Sequence, residues 1–222
     1  ADRTGYAAQR DALESVLGRL EDTDSKTYFA DLLRFRLGHL ATIPGVPVAG
    51  VQYFPDFLLA QTRDPLGFVD AGAYDGDTLA EAARSLPLRE AWAFEPDGDS
   101  FTRLATRARS LRVPTVCVPC GVSLINGTLP FTSGQGEASR LSVDGDAHAP
   151  VVRLDDCLPH AQVGYLKLDV EGHELDALAG AEALIRRNRP FLAIAGYHRW
   201  DDLWRIPQWI ASLGQDYRLR FR

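Results

Sequence analysis

Lysine is almost missing from this chain of 222 residues: of 24 basic side chains only Lys26 and Lys167 are lysines, the rest being arginines. Methionine is absent, and cysteine is limited to Cys117, Cys120 and Cys157. Three cysteines exclude the disulfide framework that staples small secreted domains. Cys117-Val118-Pro119-Cys120 has CxxC spacing, yet one pair leaves a four-ligand zinc site incomplete. The thiols therefore read as reduced core or near-core residues, and with no secretory leader pattern at the N-terminus they point to the cytoplasm. A chain that opens on Ala1 without methionine is expected to have lost its original start. No apolar run is long enough to span a membrane. A net charge of −6 and a pI near 5.4 lack the basic face that a nucleic-acid partner requires.

An apolar fraction of 45% at this length supplies one large domain, or a core domain with a helical annex. The chain is organised around Phe68-Val69-Asp70-Ala71-Gly72-Ala73-Tyr74-Asp75-Gly76-Asp77-Thr78. An apolar run enters an acidic, glycine-punctuated turn, and helical spacing follows (Leu79, Ala82, Ala83, Leu86). A parallel strand hands over to a helix in this way at the carboxyl edge of a doubly wound sheet, where ligands bind. A dinucleotide loop reads G-x-G-x-x-G and accepts a pyrophosphate, which Asp70, Asp75 and Asp77 would repel. The turn suits a nucleoside with cationic groups and no phosphate, a description that S-adenosylmethionine meets. Asp75 or Asp77 serving only as a helix cap is the plainer alternative.

Ahead of this stretch, apolar positions at helical spacing predict one helix over residues 6–20. A second, capped by Asp24 or Ser25, runs to Leu40 and is stopped by Pro44, Gly45 and Pro47. Both precede the sheet and form an N-terminal annex over residues 1–50. Val51-Gln52-Tyr53-Phe54-Pro55-Asp56-Phe57 is an aromatic segment for core packing or for stacking on a nucleoside. Beyond the turn, Ala91-Trp92-Ala93-Phe94 reads as the second strand, tipped by Glu95-Pro96-Asp97. A carboxylate at the end of that strand, at this offset, is where a ribose diol is held. A third strand over residues 115–118 leads to Gly121-Val122. Residues 128–132 and 140–143, around Ser133-Gly134-Gln135-Gly136, predict a hairpin or flap beside the sheet, where Ser139 and Arg140 reach ligand or merely connect.

A buried-strand pattern then carries Leu166-Lys167-Leu168-Asp169-Val170-Glu171-Gly172-His173-Glu174, followed by one helix through Ile185. Strict alternation places Lys167, Asp169 and Glu171 on one side, as a charge network at the cofactor edge or a structural salt-bridge cluster. Residues 190–196 form the last core strand, and His198 at its carboxyl end suits a general base. A surface histidine is the alternative. Residues 217–221 read as a terminal strand.

Four of these stretches, at residues 68–78, 94–96, 166–174 and Tyr197-His198 with Asp202-Leu203, together with Leu154-Asp155-Asp156, resemble the FkbM family of S-adenosylmethionine-dependent methyltransferases. The likeness covers about residues 50–222. It implies a Rossmann-like, class I α/β fold with a seven-stranded, mostly parallel sheet, helices on both faces and a methyltransferase domain over residues 51–222. It implies O-methylation of a hydroxyl on a sugar, polyketide or other small molecule or glycan. The cofactor would be bound by Asp70, Gly72, Tyr74, Asp75, Gly76, Asp77, Thr78, Glu95, Pro96, Gly121, Val122 and Asp169. The catalytic set would be His198, Asp169, Glu171 and Lys167. Asp169 and Glu171 are weighed as a magnesium pair, but two carboxylates do not make a site and no metal is assigned. A non-catalytic nucleoside-binding domain and a nicotinamide-dependent oxidoreductase are the rival readings.

Overall fold

The computed structural model describes residues 3–45, 53–132, 140–141, 145 and 147–222. Val51, Gln52, Ser133 to Gly136, Ser139, Ser142 and Val143, with the side chain of Arg140, lie outside the described residues. The chain divides into two compact units, Asp56–His198 and Ala1–Pro55 with Arg199–Arg222.

In the first unit, β1 (Leu66–Ala71), β2 (Leu88–Phe94), β3 (Thr115–Val118), β8 (Val163–Leu168) and β9 (Phe191–Ile194) form a parallel sheet in the order β3-β2-β1-β8-β9. Near-continuous apolar runs produce β1 and β8, as parallel strands covered on both faces require. Phe68, Val69, Leu166 and Leu168 are fully buried there, beside Leu79 of α5 (Asp77–Ser85) and Leu104 of α6 (Gly98–Ala108). The seven-stranded, mostly parallel sheet of the expectation is not what the described residues hold: their central sheet has five strands, all parallel.

Register decides where the loops emerge. Ala71 is level with Phe94 on one side and with Leu168 on the other, and Leu168 is level with Ile194. The loops after β1, β2, β8 and β9 therefore open at one edge. The order reverses direction at β1, so the edge between β1 and β8 is a topological switch point.

The predicted hairpin is part of a separate four-stranded sheet made by β4 (Gly121–Val122), β5 (Gly127–Thr132), β6 (Arg140–Leu141) and β7 (Ala147–Val152). Phe131, Ala149 and Val151 give it a small core of its own. The helix expected through Ile185 is two, α8 (Glu174–Ala179) and α9 (Glu182–Asn188). At the break, Gly180 passes so close to the Ser123 carbonyl that a Cβ would collide with it.

In the second unit the single helix expected over residues 6–20 is divided into α1 (Arg3–Ala8) and α2 (Arg10–Arg19). The Gln9 N–H turns back to Tyr6 O, a tight turn that hardly alters the apolar spacing and so leaves no trace in periodicity. The cap of α3 (Thr23–Arg36) is Asp22, accepting from Ser25 N at 2.7 Å, rather than Asp24 or Ser25. The predicted terminal strand makes one bridge, Leu219 to Leu20. Its apolar alternation instead packs Phe221 on Tyr28 and Phe29, while Arg218 and Arg220 reach Glu21 and Arg222 reaches Asp22. The Arg222 guanidinium holds the Asp22 carboxyl far below the usual range. Tyr6, Leu13, Val16, Phe29, Leu32, Leu203 and Trp204, the last two on α10 (Asp202–Ser212), form the core of this unit.

Candidate active site

The loop after β1 is shaped by backbone. Gly72 has φ +75°, and a Cβ there would run into the Asp169 carbonyl oxygen; Gly76, at φ +84°, faces Leu104 Cδ1 at 2.9 Å in the same sense. Only glycine meets both demands. Between them Tyr74 takes φ +49°, a conformation seldom seen outside glycine. Strain of this kind concentrates at functional loops.

Glu95, at the tip of β2, fixes that loop. Its Oε2 accepts from Tyr74 N and its Oε1 from Asp97 N, each at 2.8 Å. Burial pushes the Glu95 carboxyl up to about 7, against the two N–H donors that favour its charge. Each oxygen keeps a lone pair for a further donor. Pro96 follows, and the Cβ position of Gly121 lies 3.8 Å from Pro96 Cγ, which brings the start of β4 to the same edge. Val122 is buried beside Gly121 on β4.

The other acidic residues of the turn have partners of their own. Asp75 pairs with Arg107 of α6 at 2.7 Å and accepts from Asp77 N, while Arg103 lies over the Tyr74 ring. Asp77 is exposed and bonds the N–H of Thr78. Neither arginine carries a sequence signal beyond its place on a basic helix.

Beneath the loop lies an ion pair. Asp70 is 0% exposed and Lys167 3%, with Lys167 Nζ 3.0 Å from Asp70 Oδ1 and donating to Gly72 O at 2.6 Å. Burial raises the Asp70 carboxyl and the Lys167 charge pulls it back. The alternation expected of residues 167–171 is broken. Strand β8 ends at Leu168, and Glu171 (φ +54°) with Gly172 (φ +96°) forms a left-handed turn. Lys167 points to β1, and Asp169 and Glu171 point elsewhere.

They point to His198. Its Nε2 stands 3.4 Å from Asp169 Oδ1 and 3.3 Å from Glu171 Oε1, and its Nδ1 is 2.8 Å from Glu174 Oε1. Burial lowers the imidazole pKa, but the Glu174 hydrogen bond and the three carboxylate charges outweigh it and leave it raised. Glu171 is raised by burial, with His198 opposing. Tyr197 lies against the His198 ring with centroids 4.2 Å apart; burial and the neighbouring carboxylates push its hydroxyl up to about 12. Glu174 is the residue that reading the sequence left without a role. It is buried and also accepts from Val170 N and Gly172 N, closing the turn that carries Glu171. Its signal was present: the E-G-x-E spacing brings a carboxylate back over a glycine turn.

Cys117 and Cys120 are half-buried and free, and Cys157, expected near the core, is exposed. Burial pushes all three thiols up, which disfavours the thiolate that redox or metal chemistry needs.

The fold is that of a doubly wound α/β protein, with the candidate residues gathered at the edge that holds its switch point. The model of the "Methyltransferase FkbM domain" matches residues 70–219, and the chain belongs to that family. It is 32% identical over 97 residues to a hexuronic acid methyltransferase, AglP, of Haloferax volcanii, a match that covers 40% of each chain. The solved methyltransferase FkbM of Methylobacillus flagellatus KT superposes with a TM-score of 0.78 at 24% identity, over 97% of this chain and 55% of that one, a likeness of fold. The chain thus spans about half or less of the length of either protein.

Proposed function

We propose that the chain is an S-adenosylmethionine-dependent O-methyltransferase acting on a hydroxyl of a small molecule or glycan. The observation that carries this is the shared register of β1, β2, β8 and β9, which sets a glycine cradle, a ribose-type carboxylate and a carboxylate–histidine cluster on one edge. The loop suits the cofactor: Gly72 and Gly76 let the turn close tightly against Asp169 and Leu104 beneath the edge, and no acidic group there has to face a phosphate. Gly72, Tyr74, Gly76, Asp77 and Thr78 would border the methionine part, with Asp75 held by Arg107. Glu95 with Pro96 would take the ribose, Gly121 and Val122 the adenine, and Asp169 the side next to the methyl group. Asp70 contributes through Lys167, which holds the Gly72 carbonyl. Bound there, the cofactor supplies an electrophilic methyl group.

Removal of the acceptor's proton is assigned to the cluster of His198, Asp169 and Glu171, with Glu174 fixing the imidazole through Nδ1. Lys167 acts as a positioning residue rather than on the acceptor. A sugar hydroxyl is supported by the name of the Haloferax relative and by Tyr197, a residue 55% exposed beside the cluster whose ring could offer a flat apolar face to a pyranose.

Isothermal titration with S-adenosylhomocysteine tests the reading. Saturable binding that weakens about tenfold or more in Glu95→Gln, a change that removes a charged acceptor, is the expected result. Binding of NADH in its place would favour the oxidoreductase. Binding without turnover on any uronic acid or other hydroxylated acceptor would favour a non-catalytic domain.

A further inference from the structure

The geometry points to a divalent-cation site formed by Asp169, Glu171 and His198, and we propose that a first-row ion such as Mn²⁺ binds there. One ligand atom from each residue lies within 4.8 Å of the others. His198 Nε2 is 3.4 Å from Asp169 Oδ1 and 3.3 Å from Glu171 Oε1. Two ligands each about 2.1 Å from an ion stand about 3.0 Å apart at a right angle and about 3.4 Å apart at a tetrahedral one. Both separations from Nε2 already match those of neighbouring ligands on one ion.

A cluster of carboxylates alone would not carry the inference. The second observation is the imidazole: its side chain is 10% exposed, and Nε2 makes no well-formed hydrogen bond while aimed between the two carboxylates. Buried ring nitrogens are costly to leave without a partner. Nδ1 meanwhile faces a buried carboxylate, Glu174, at 2.8 Å. A metal-ligating histidine is held in this way: the second nitrogen donates to a carboxylate, which fixes the tautomer and leaves the other lone pair for the ion. The strained Glu171 backbone, at φ +54°, has the same consequence, since the turn aims its carboxylate back at Nε2.

The donor set selects the ion. One imidazole and two carboxylates suit Mn²⁺ or a neighbouring first-row ion better than Ca²⁺, which prefers oxygen throughout. Three protein ligands leave coordination positions for water or an acceptor oxygen. This part of the inference rests on the methyltransferase reading and places the hydroxyl-activating power of the cluster in the ion rather than in a free Nε2; cation binding itself does not rest on it.

The test is a Mn²⁺ titration of chelator-treated full chain, followed by electron paramagnetic resonance of free and bound ion, without cofactor. The expected result is one bound ion per chain with nitrogen coupling from an imidazole. His198→Gln should abolish the coupling and weaken binding at least tenfold, and Glu174→Gln should weaken it about 10- to 100-fold with the coupling retained. Absence of saturable binding by the folded wild-type chain, or binding without nitrogen coupling, overturns the proposal. The wild-type spectrum decides even where a variant fails to fold. S-adenosylhomocysteine binding by the same chelated sample is read separately: its loss would overturn the methyltransferase reading and leave the cation site standing, and the reverse pattern would do the opposite.

Discussion

The two halves of the candidate site are built from different materials. On the β1–β2 side the chain uses backbone: glycines at positive φ, and a carboxylate whose oxygens are held by the N–H groups of Tyr74 and Asp97. On the β8–β9 side it uses side chains: three carboxylates converge on one imidazole, and Glu174 is itself anchored to backbone. Each half contains one residue other than glycine in a left-handed conformation, Tyr74 in one and Glu171 in the other. A backbone cradle has a fixed shape and suits a ligand that never varies. A side-chain cluster can exchange a proton or an ion, as reaction requires. Between the halves runs the Lys167–Asp70 pair, which belongs to neither surface and ties β8 to β1.

The largest effect should come from cutting that tie. Lys167→Met leaves the Asp70 carboxylate buried without its cation, and breaking a buried pair from one side costs about 3–5 kcal/mol. Denaturant unfolding should show a loss of that order. Asp70→Asn combined with Lys167→Met should be more stable than Lys167→Met alone, because the stranded charge is gone. A double variant as unstable as the single one would mean that the lysine acts through Gly72 O instead.

Glycine substitution separates the halves directly. At Gly72 a Cβ meets the Asp169 carbonyl and the φ of +75° is unfavourable to any L side chain, so Gly72→Ala should cost about 3 kcal/mol. At Gly196, just before Tyr197, nothing lies within 4 Å, and Gly196→Ala should stay within about 0.5 kcal/mol of wild type by the same assay. Equal losses at the two positions would erase the distinction between a backbone-built and a side-chain-built half.

Much of this was legible before any coordinates. The glycine turn, Glu95 and the K-L-D-V-E-G-H-E stretch carry their positions because strand ends and tight turns restrict which residues fit. What escaped was whatever depends on contacts distant in sequence. Lys167 and Asp169 are two apart and were placed on one side by alternation, yet the strand ends at Leu168, and β1 supplies the partner for the lysine. The helix break at Gly180 follows from Ser123, 57 positions earlier, and the lost terminal strand from Phe221 finding α3 rather than a sheet. Glu174 was visible as a letter but not as a role, because its role is defined by His198 at the end of another strand.

Glu174→Gln should be milder than either Lys167→Met or Gly72→Ala. Val170 N, Gly172 N and His198 Nδ1 all share Oε1, so an amide oxygen in its place can still accept from each and only the charge assistance to His198 is lost, worth about 1 kcal/mol. Unfolding free energy would register that loss, and an unchanged value would mean that the Nδ1 contact orients the ring without adding stability.

The smallest effect concerns the backbone-built half and is a slope rather than a loss. Burial has raised the Glu95 carboxyl to about 7, from about 4.5 when exposed. Between those values the folded chain holds a proton that the unfolded chain has released, so this group makes the fold less stable as pH rises from about 4.5 to about 7. A diol that donates two hydrogen bonds needs the ionised carboxylate, so affinity for S-adenosylhomocysteine should move the other way. It should strengthen as pH climbs toward about 7 and level off above, with a slope of at most about tenfold per pH unit. Glu95→Gln should weaken binding and flatten both profiles. An affinity that is indifferent to pH below about 7 in the wild-type chain would mean that the ribose rests on Tyr74, Pro96 and backbone, and that Glu95 serves only to hold the loop.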